Sequence, residues 1–429
     1  MAPTTTLLIL TLSSLPLTLS LTLPNPQQCP PIPLSPLTPH TTTCSSALID
    51  DSDTTPLSPT PWTLPPSCLT PRSILSTQKF CIYTSPSYNL GTGLSLLTTP
   101  QVATIIATAA SDPLPAYHAR HHLAHNGTLS PSQLTTLPYR ILPLKGKGYG
   151  VLATRHIPKF TVIMTSYPAM VVDNTFMPPE AEEGPVEGWR AFSRMVEGLE
   201  TAGDGRRFKD MARSGERGDV HVVEDLVRTN AFGLFLGGRD MKGVFPEVAR
   251  INHGCDANSF PQFQSGDLGM RVVATRDIKP GEEITISYIP LGMPTKYRQR
   301  SLANWSFKCT CAMCTASHSA LAASDARREK LADLYNKMED SSTSLPQLKK
   351  LIEEFEDIVE KEGLEVKRGE YYQGFMMFHH ARGDWKGALK YAEASLRRTE
   401  IFSDPQGAYA GGLRNDIKFL KDLIAGEEW

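Results

Sequence analysis

The chain has 429 residues, enough for two or three domains with a substantial core. Its 43 basic and 45 acidic side chains leave a formal charge of −2, which argues against the strongly basic field of a dedicated nucleic-acid binder. After residue 25 no run approaches the roughly 20 apolar residues that cross a bilayer as a helix, so no such span is expected there.

The first element is the apolar block "LLILTLSSLPLTLSLTL" at residues 7–23, followed by "PNPQQC". It has the apolar character of a secretory leader, but no Lys or Arg precedes it and Pro16 interrupts it. It therefore reads either as a signal peptide over 1–23 or as a Thr/Leu/Pro-rich leader. Residues 24–137 are rich in Pro, Thr and Ser and hold Cys29, Cys44, Cys68 and Cys81. That composition predicts loops tied by disulfides in an oxidising compartment rather than a large core. Asn126-Gly127-Thr128 is a glycosylation sequon, which points the same way. His118, His121, His122 and His125 fall at helical spacing; with no acidic or Cys partner nearby they read as a helix face rather than a metal site.

The pattern changes at Pro138. "YRILPLKGKGYGVLATRHIPKFTVIMTSYPAMVV" alternates aliphatic residues with turn signals and predicts several short strands. Within it, "KGKGYG" (145–150) lacks the strand-to-helix context of a phosphate-binding loop, so alone it reads as a tight turn. Residues 173–228 are charged and glycine-punctuated, with helices predicted near 188–200 and 219–231. Next comes "RINHGCDANSF" (250–260), whose Asn252, His253, Cys255 and Asn258 admit a metal site, a thiol with its base, or a polar turn. Strand character returns in "MRVVATRDI" and "EEITISYI", separated by the Pro280-Gly281 turn. Tyr288 stands next to last in the second of these, where a tyrosine is ordinarily a core or interface residue.

"FKCTCAMC" brings Cys309, Cys311 and Cys314 close enough to occupy three corners of a zinc tetrahedron, with chance clustering of buried thiols as the alternative. A structural zinc takes four ligands, and the other cysteine of this half is Cys255, so zinc would join the 250s loop to the segment after residue 308. Beyond 316 the chain is helical. "GDWKGALKYAEASLRRTE" resembles a tetratricopeptide-type helix, with Ala388, Leu389, Tyr391, Ala392 and Leu396 at packing positions.

"KGKGYGVLATRHIPK", "RINHGCDANSF", "RDIKPGEEITISY" and "NWSFKCTCAMC" occur in the order and approximate spacing of SET-domain protein lysine methyltransferases. The resemblance is to the SET and MYND branch and covers about residues 138–315. It implies an α+β fold: a β-rich, knot-like SET domain at 138–290 with a helical insertion at 173–228, a post-SET zinc segment at 291–316, and a helical, TPR-like domain at 317–429. It further implies that Lys147, Gly148, Tyr149, Asn230, Asn252, His253 and Phe307 contact S-adenosylmethionine, and that Tyr288 is the catalytic tyrosine. Zn2+ would be held by Cys255, Cys309, Cys311 and Cys314. The implied activity is methyl transfer to a protein lysine by a monomer that binds no nucleic acid, with a catalytically silent SET-fold binding module as the alternative. The sequence departs from the family's N-H-S-C-x-P-N at Gly254 and Ala257, and no Cys lies in the insertion, so the MYND finger is absent. Use of S-adenosylmethionine implies cytoplasm or nucleus, whereas the front of the chain points to export.

Overall fold

The computed structural model describes Trp62, Met211 and residues 66–69, 79–86, 88–109, 137–176, 186–201, 222–305 and 307–427, all within one folded unit, Pro56–Trp429. The apolar leader, Cys29, Cys44, the histidines at 118–125 and Asn126 lie outside the described residues. Among the described residues, thirteen strands form three sheets. They are β1 (Ser67–Leu69), β2 (Phe80–Ser85), β3 (Leu94–Thr98), β4 (Tyr139–Leu144), β5 (Gly148–Ala153), β6 (Val162–Ser166) and β7 (Met170–Asp173). The later strands are β8 (Ala231–Leu236), β9 (Arg239–Val244), β10 (Asn252–His253), β11 (Ser259–Phe263), β12 (Met270–Ala274) and β13 (Glu283–Ile286).

The largest sheet, in the order β1-β2-β3-β7-β9-β8, is covered on both faces. Successive side chains of a strand point to opposite faces, and here each face has its own core. Cys81, Tyr83, Leu94, Leu96 and Val171 point into one; Phe80, Ile82, Leu97, Met170 and Val172 point into the other. The second core is closed by the helix Val186–Thr201, whose Ala191, Phe192, Met195 and Leu199 share one helical face. That helix and Val222–Asn230 are the described helices of the insertion.

Within residues 24–137, where loops tied by disulfides are expected rather than a large core, the described strands β2 and β3 are core instead. β2 and β3 are buried along their whole length. Their hydroxyl residues misled the compositional reading, because here they are satisfied inside. Thr98 Oγ1 donates to Asp173 Oδ2 at 3.0 Å, and the Thr84 and Ser95 hydroxyls lie 3.4 Å apart. Cys68 and Cys81 face each other across β1 and β2 and are joined by a disulfide.

The second sheet runs β10-β13-β5-β4, and the third β11-β12-β6. β13 lies between β10, its parallel partner, and β5, its antiparallel one. Asn258 locks the 250s loop onto β13. Its Nδ2 donates to Glu283 O and its Oδ1 accepts from Thr285 N, both at 2.9 Å, with the side chain 1% exposed. The amide thus stands in for a strand neighbour. Asn258→Leu would leave both backbone groups buried without these partners, and should destabilise the protein by roughly 3 kcal/mol. Urea unfolding measures this, and a loss below about 1 kcal/mol would contradict the role assigned to the amide.

Five long helices complete the chain: His318–Glu339, Leu345–Lys361, Arg368–His380, Trp385–Phe402 and Ala408–Glu427. Of the predicted packing positions in the fourth, Ala388 and Ala392 are fully buried, and Leu389 and Tyr391 pack around them. Phe402 at its end meets Phe160 and Phe260 at 5.8 and 6.2 Å between ring centroids. Glu365 pairs with Lys159 at 2.8 Å and with Arg398 at 2.7 Å. These contacts dock the helices on the β6–β12–β11 side.

Candidate active site

A cavity of about 630 Å³ opens where four stretches converge: the β4–β5 turn, the junction of Val222–Asn230 with β8, residues 248–253, and the segment from Ser287 to Cys311. Lys147, Gly148, Tyr149 and Asn230 line it from the first two. Asn252, His253, Tyr288 and Phe307 line it from the others, so all eight residues expected around a methyl donor share one space.

The "KGKGYG" segment forms the turn its glycines predicted. Gly146 and Gly148 have φ of +75° and +68°, in the region L side chains avoid. Gly150 serves another purpose, since a Cβ there would lie 2.9 Å from Asn252 Nδ2. Its absence lets Asn252 cross to β5, where Nδ2 donates to Tyr149 O at 3.1 Å and to Glu283 Oε1 at 2.9 Å. The other oxygen of Glu283 pairs with Lys147 Nζ at 2.6 Å. Glu283 therefore organises two predicted site residues, although sequence reasoning did not single it out. Its signal was a charge alternating with the buried Ile284 and Ile286 of β13. Arg250 stacks on the exposed ring of Tyr149 at the rim, 5.0 Å from its centroid.

Tyr288 forms the aromatic wall with Trp305 and Phe307, at ring separations of 5.5 and 6.3 Å. Its hydroxyl donates to Ile251 O at 2.7 Å, and burial, with Glu283 adding to it, pushes the phenol pKa upward. The phenol stays protonated at neutral pH. Trp305, another residue the sequence reading left without a role, is held by its Nε1–H to Thr229 O at 3.3 Å. His253 sits behind Tyr288, and burial pushes its pKa down to about 4, leaving a neutral imidazole.

The sulfurs of Cys255, Cys309, Cys311 and Cys314 lie within 4.8 Å of one another. Zn–S bonds of about 2.3 Å imply tetrahedral edges of about 3.8 Å, and Cys255 lies 3.9 Å from Cys309 and 3.4 Å from Cys314. The donor set and its spacing fit one zinc ion. The contact between Cys255 and Cys311 pulls the Cys311 thiol below the usual range, and the same contact with burial pushes Cys255 above it. Gln299 fixes Cys309 by donating to its carbonyl at 3.0 Å and accepting from its amide at 3.2 Å.

The two departures in the 250s loop find local explanations. A Cβ on Gly254 would lie 2.9 Å from Thr285 Oγ1, so Thr285 fills the space a serine would need. Without a proline at 257, the Ala257 carbonyl is restrained by the Thr275 hydroxyl at 3.2 Å.

Residues 148–289 match the SET domain family model, and the sheets, cavity and sulfur cluster are the setting in which that match falls. The match makes this stretch a SET domain within a longer chain, and the chain is similar in part to relatives of the SMYD-like branch. It is 29% identical over 211 residues to N-lysine methyltransferase SMYD2-A of Danio rerio, covering 43% of this chain and 47% of the relative. To N-lysine methyltransferase SMYD2 of Homo sapiens it is 30% identical over 174 residues, covering 36% and 40% respectively. Histone-lysine N-methyltransferase SET5 of Candida albicans is 29% identical over 126 residues, covering 29% and 24%. In each case the chain spans less than half the length of the relative.

Proposed function

We propose that this chain is an S-adenosylmethionine-dependent protein-lysine methyltransferase with one structural zinc. The observation that carries the reading is the convergence of Lys147, Asn230, Asn252, Tyr288 and Phe307 on one cavity beside four clustered thiols. The volume, about 630 Å³, falls within the roughly 300–1,000 Å³ of small-molecule pockets. S-adenosylmethionine, when bound, supplies a methyl group on a sulfonium centre. Lys147 and the amides of Asn230 and Asn252 suit its amino-acid end, and the partly exposed Phe307 suits an aromatic base. Zinc would be held by Cys255, Cys309, Cys311 and Cys314, tying the loop after β10 to the segment that carries Phe307.

The remaining work falls to the walls. Transfer to an amine requires alignment and an unprotonated nitrogen, not a protein nucleophile. The apolar rings of Tyr288, Trp305 and Phe307 disfavour a charged lysine by excluding water, and their faces can accommodate the methylated cation. Tyr288, with its hydrogen committed to Ile251 O, offers its oxygen lone pairs to the reacting groups. The 250s cysteine is thus a metal ligand in this reading and not a nucleophile.

Purified full-length protein should bind S-adenosylmethionine by calorimetry and move tritiated methyl from it to lysine in a panel of histone and non-histone proteins. Absence of both binding and incorporation overturns the proposal. Binding without incorporation identifies the catalytically silent module instead.

A further inference from the structure

His253 was expected to contact the methyl donor, but both of its ring nitrogens are engaged within the protein. Nδ1 accepts the amide hydrogen of Tyr288 at 3.0 Å. An accepting nitrogen carries no proton, so the proton of the neutral ring resides on Nε2. That nitrogen lies 3.2 Å from Cys255 Sγ, to which it donates. The residue is 8% exposed, with its ring 5.4 Å from Tyr288 and 6.1 Å from Phe307. Such a ring has no polar atom left to offer the cavity.

We propose that His253 is a positioning residue that joins the four-sulfur site to Tyr288, so that the charge and placement of Cys255 set the placement of Tyr288 in the cavity. A metal-bound thiolate is a fixed, charged acceptor, and hydrogen bonds to ligating groups orient both partners. Through Nε2–H the imidazole is aligned by Cys255; through Nδ1 it then holds the Tyr288 main chain. Tyr288 is held a second time by its hydroxyl on Ile251 O, one residue before β10. Metal binding in this arrangement reaches the aromatic wall through one side chain. The consequence for turnover rests on the methyltransferase reading; the linkage itself does not.

His253→Asn and His253→Gln separate the two ends of the bridge. The Asn oxygen replaces Nδ1 as acceptor but is too short to reach Cys255, whereas the Gln amide N–H replaces Nε2–H and loses the acceptor. In full-length protein loaded with Co2+, His253→Asn should shift the sulfur-to-cobalt charge-transfer bands and keep the Tyr288 amide protected from hydrogen exchange. His253→Gln should keep the bands and accelerate Tyr288 exchange by about tenfold or more. In the zinc-loaded protein, His253→Gln should lower kcat by about 10- to 100-fold while the S-adenosylmethionine Kd stays within about threefold. Unchanged bands and unchanged exchange in both variants would overturn the bridge, as would a donor Kd that rises in step with the loss of kcat. Bands and exchange are read without turnover, so failure of the methyltransferase reading shows separately as a wild-type protein that has the bridge and transfers no methyl.

Discussion

Tyr288→Phe should lower kcat for methyl transfer by about 100-fold or more, the scale expected when a reacting pair loses its alignment. The substitution keeps the ring, and with it the packing against His253, Trp305 and Phe307. What it removes is the oxygen that donates to Ile251 O at 2.7 Å and carries the lone pairs at the cavity wall. Binding of S-adenosylmethionine should change by less than about threefold, because the amino-acid end of the donor is assigned to Lys147, Asn230 and Asn252. Stability should fall by about 1–2 kcal/mol for the lost buried hydrogen bond. Single-turnover kinetics beside calorimetric donor binding distinguish these effects. A Phe variant with kcat within twofold of wild type would remove Tyr288 from the chemistry.

The second large effect concerns the metal. Cys255→Ser should remove most of the bound zinc and cost more than about 4 kcal/mol, the range reached when a metal is lost. Cys255 is 9% exposed and reaches across to Cys309, Cys311 and Cys314, which lie 54 to 59 positions later in the chain. Without zinc, packing around Leu302 and Ile289 and the Gln299 contacts to Cys309 must hold that junction. Zinc analysis with urea unfolding reads both consequences. A useful comparison is Cys68→Ala, whose disulfide to Cys81 joins an edge strand to the large sheet. It should leave zinc content unchanged. Full zinc occupancy in the Cys255 variant would show that this sulfur is not a ligand.

The site was more legible in the sequence than the surrounding fold. Its candidate residues stand out by residue type and short spacing, as with Cys309, Cys311 and Cys314, or by a motif in order, as with Asn252 and Tyr288. The C-terminal helices were equally readable, because an apolar stripe at helical period is a local property; Ala388 and Ala392 are buried where that stripe placed them. β2 and β3 escaped notice because Thr84, Ser95 and Thr98 look like loop residues until their partners are known. Those partners include Asp173, 75 positions beyond Thr98.

Residue types and local spacing alone marked Cys255, Cys309, Cys311 and Cys314 as a candidate metal cluster and the C-terminal region as helical, while the SET-type core rested on the resemblance carried by four motifs in order. The direction in which each functional side chain faces was decided by tertiary structure. Glu283 reaches Lys147 and Asn252 only because β13 runs between β10 and β5. His253 turns its nitrogens to Cys255 and the Tyr288 amide because burial leaves a neutral imidazole no water to bond with, and those two groups lie within reach. Hydrogen-bond satisfaction in a buried site depends on what distant segments bring beside it, and local sequence carries no record of that neighbourhood.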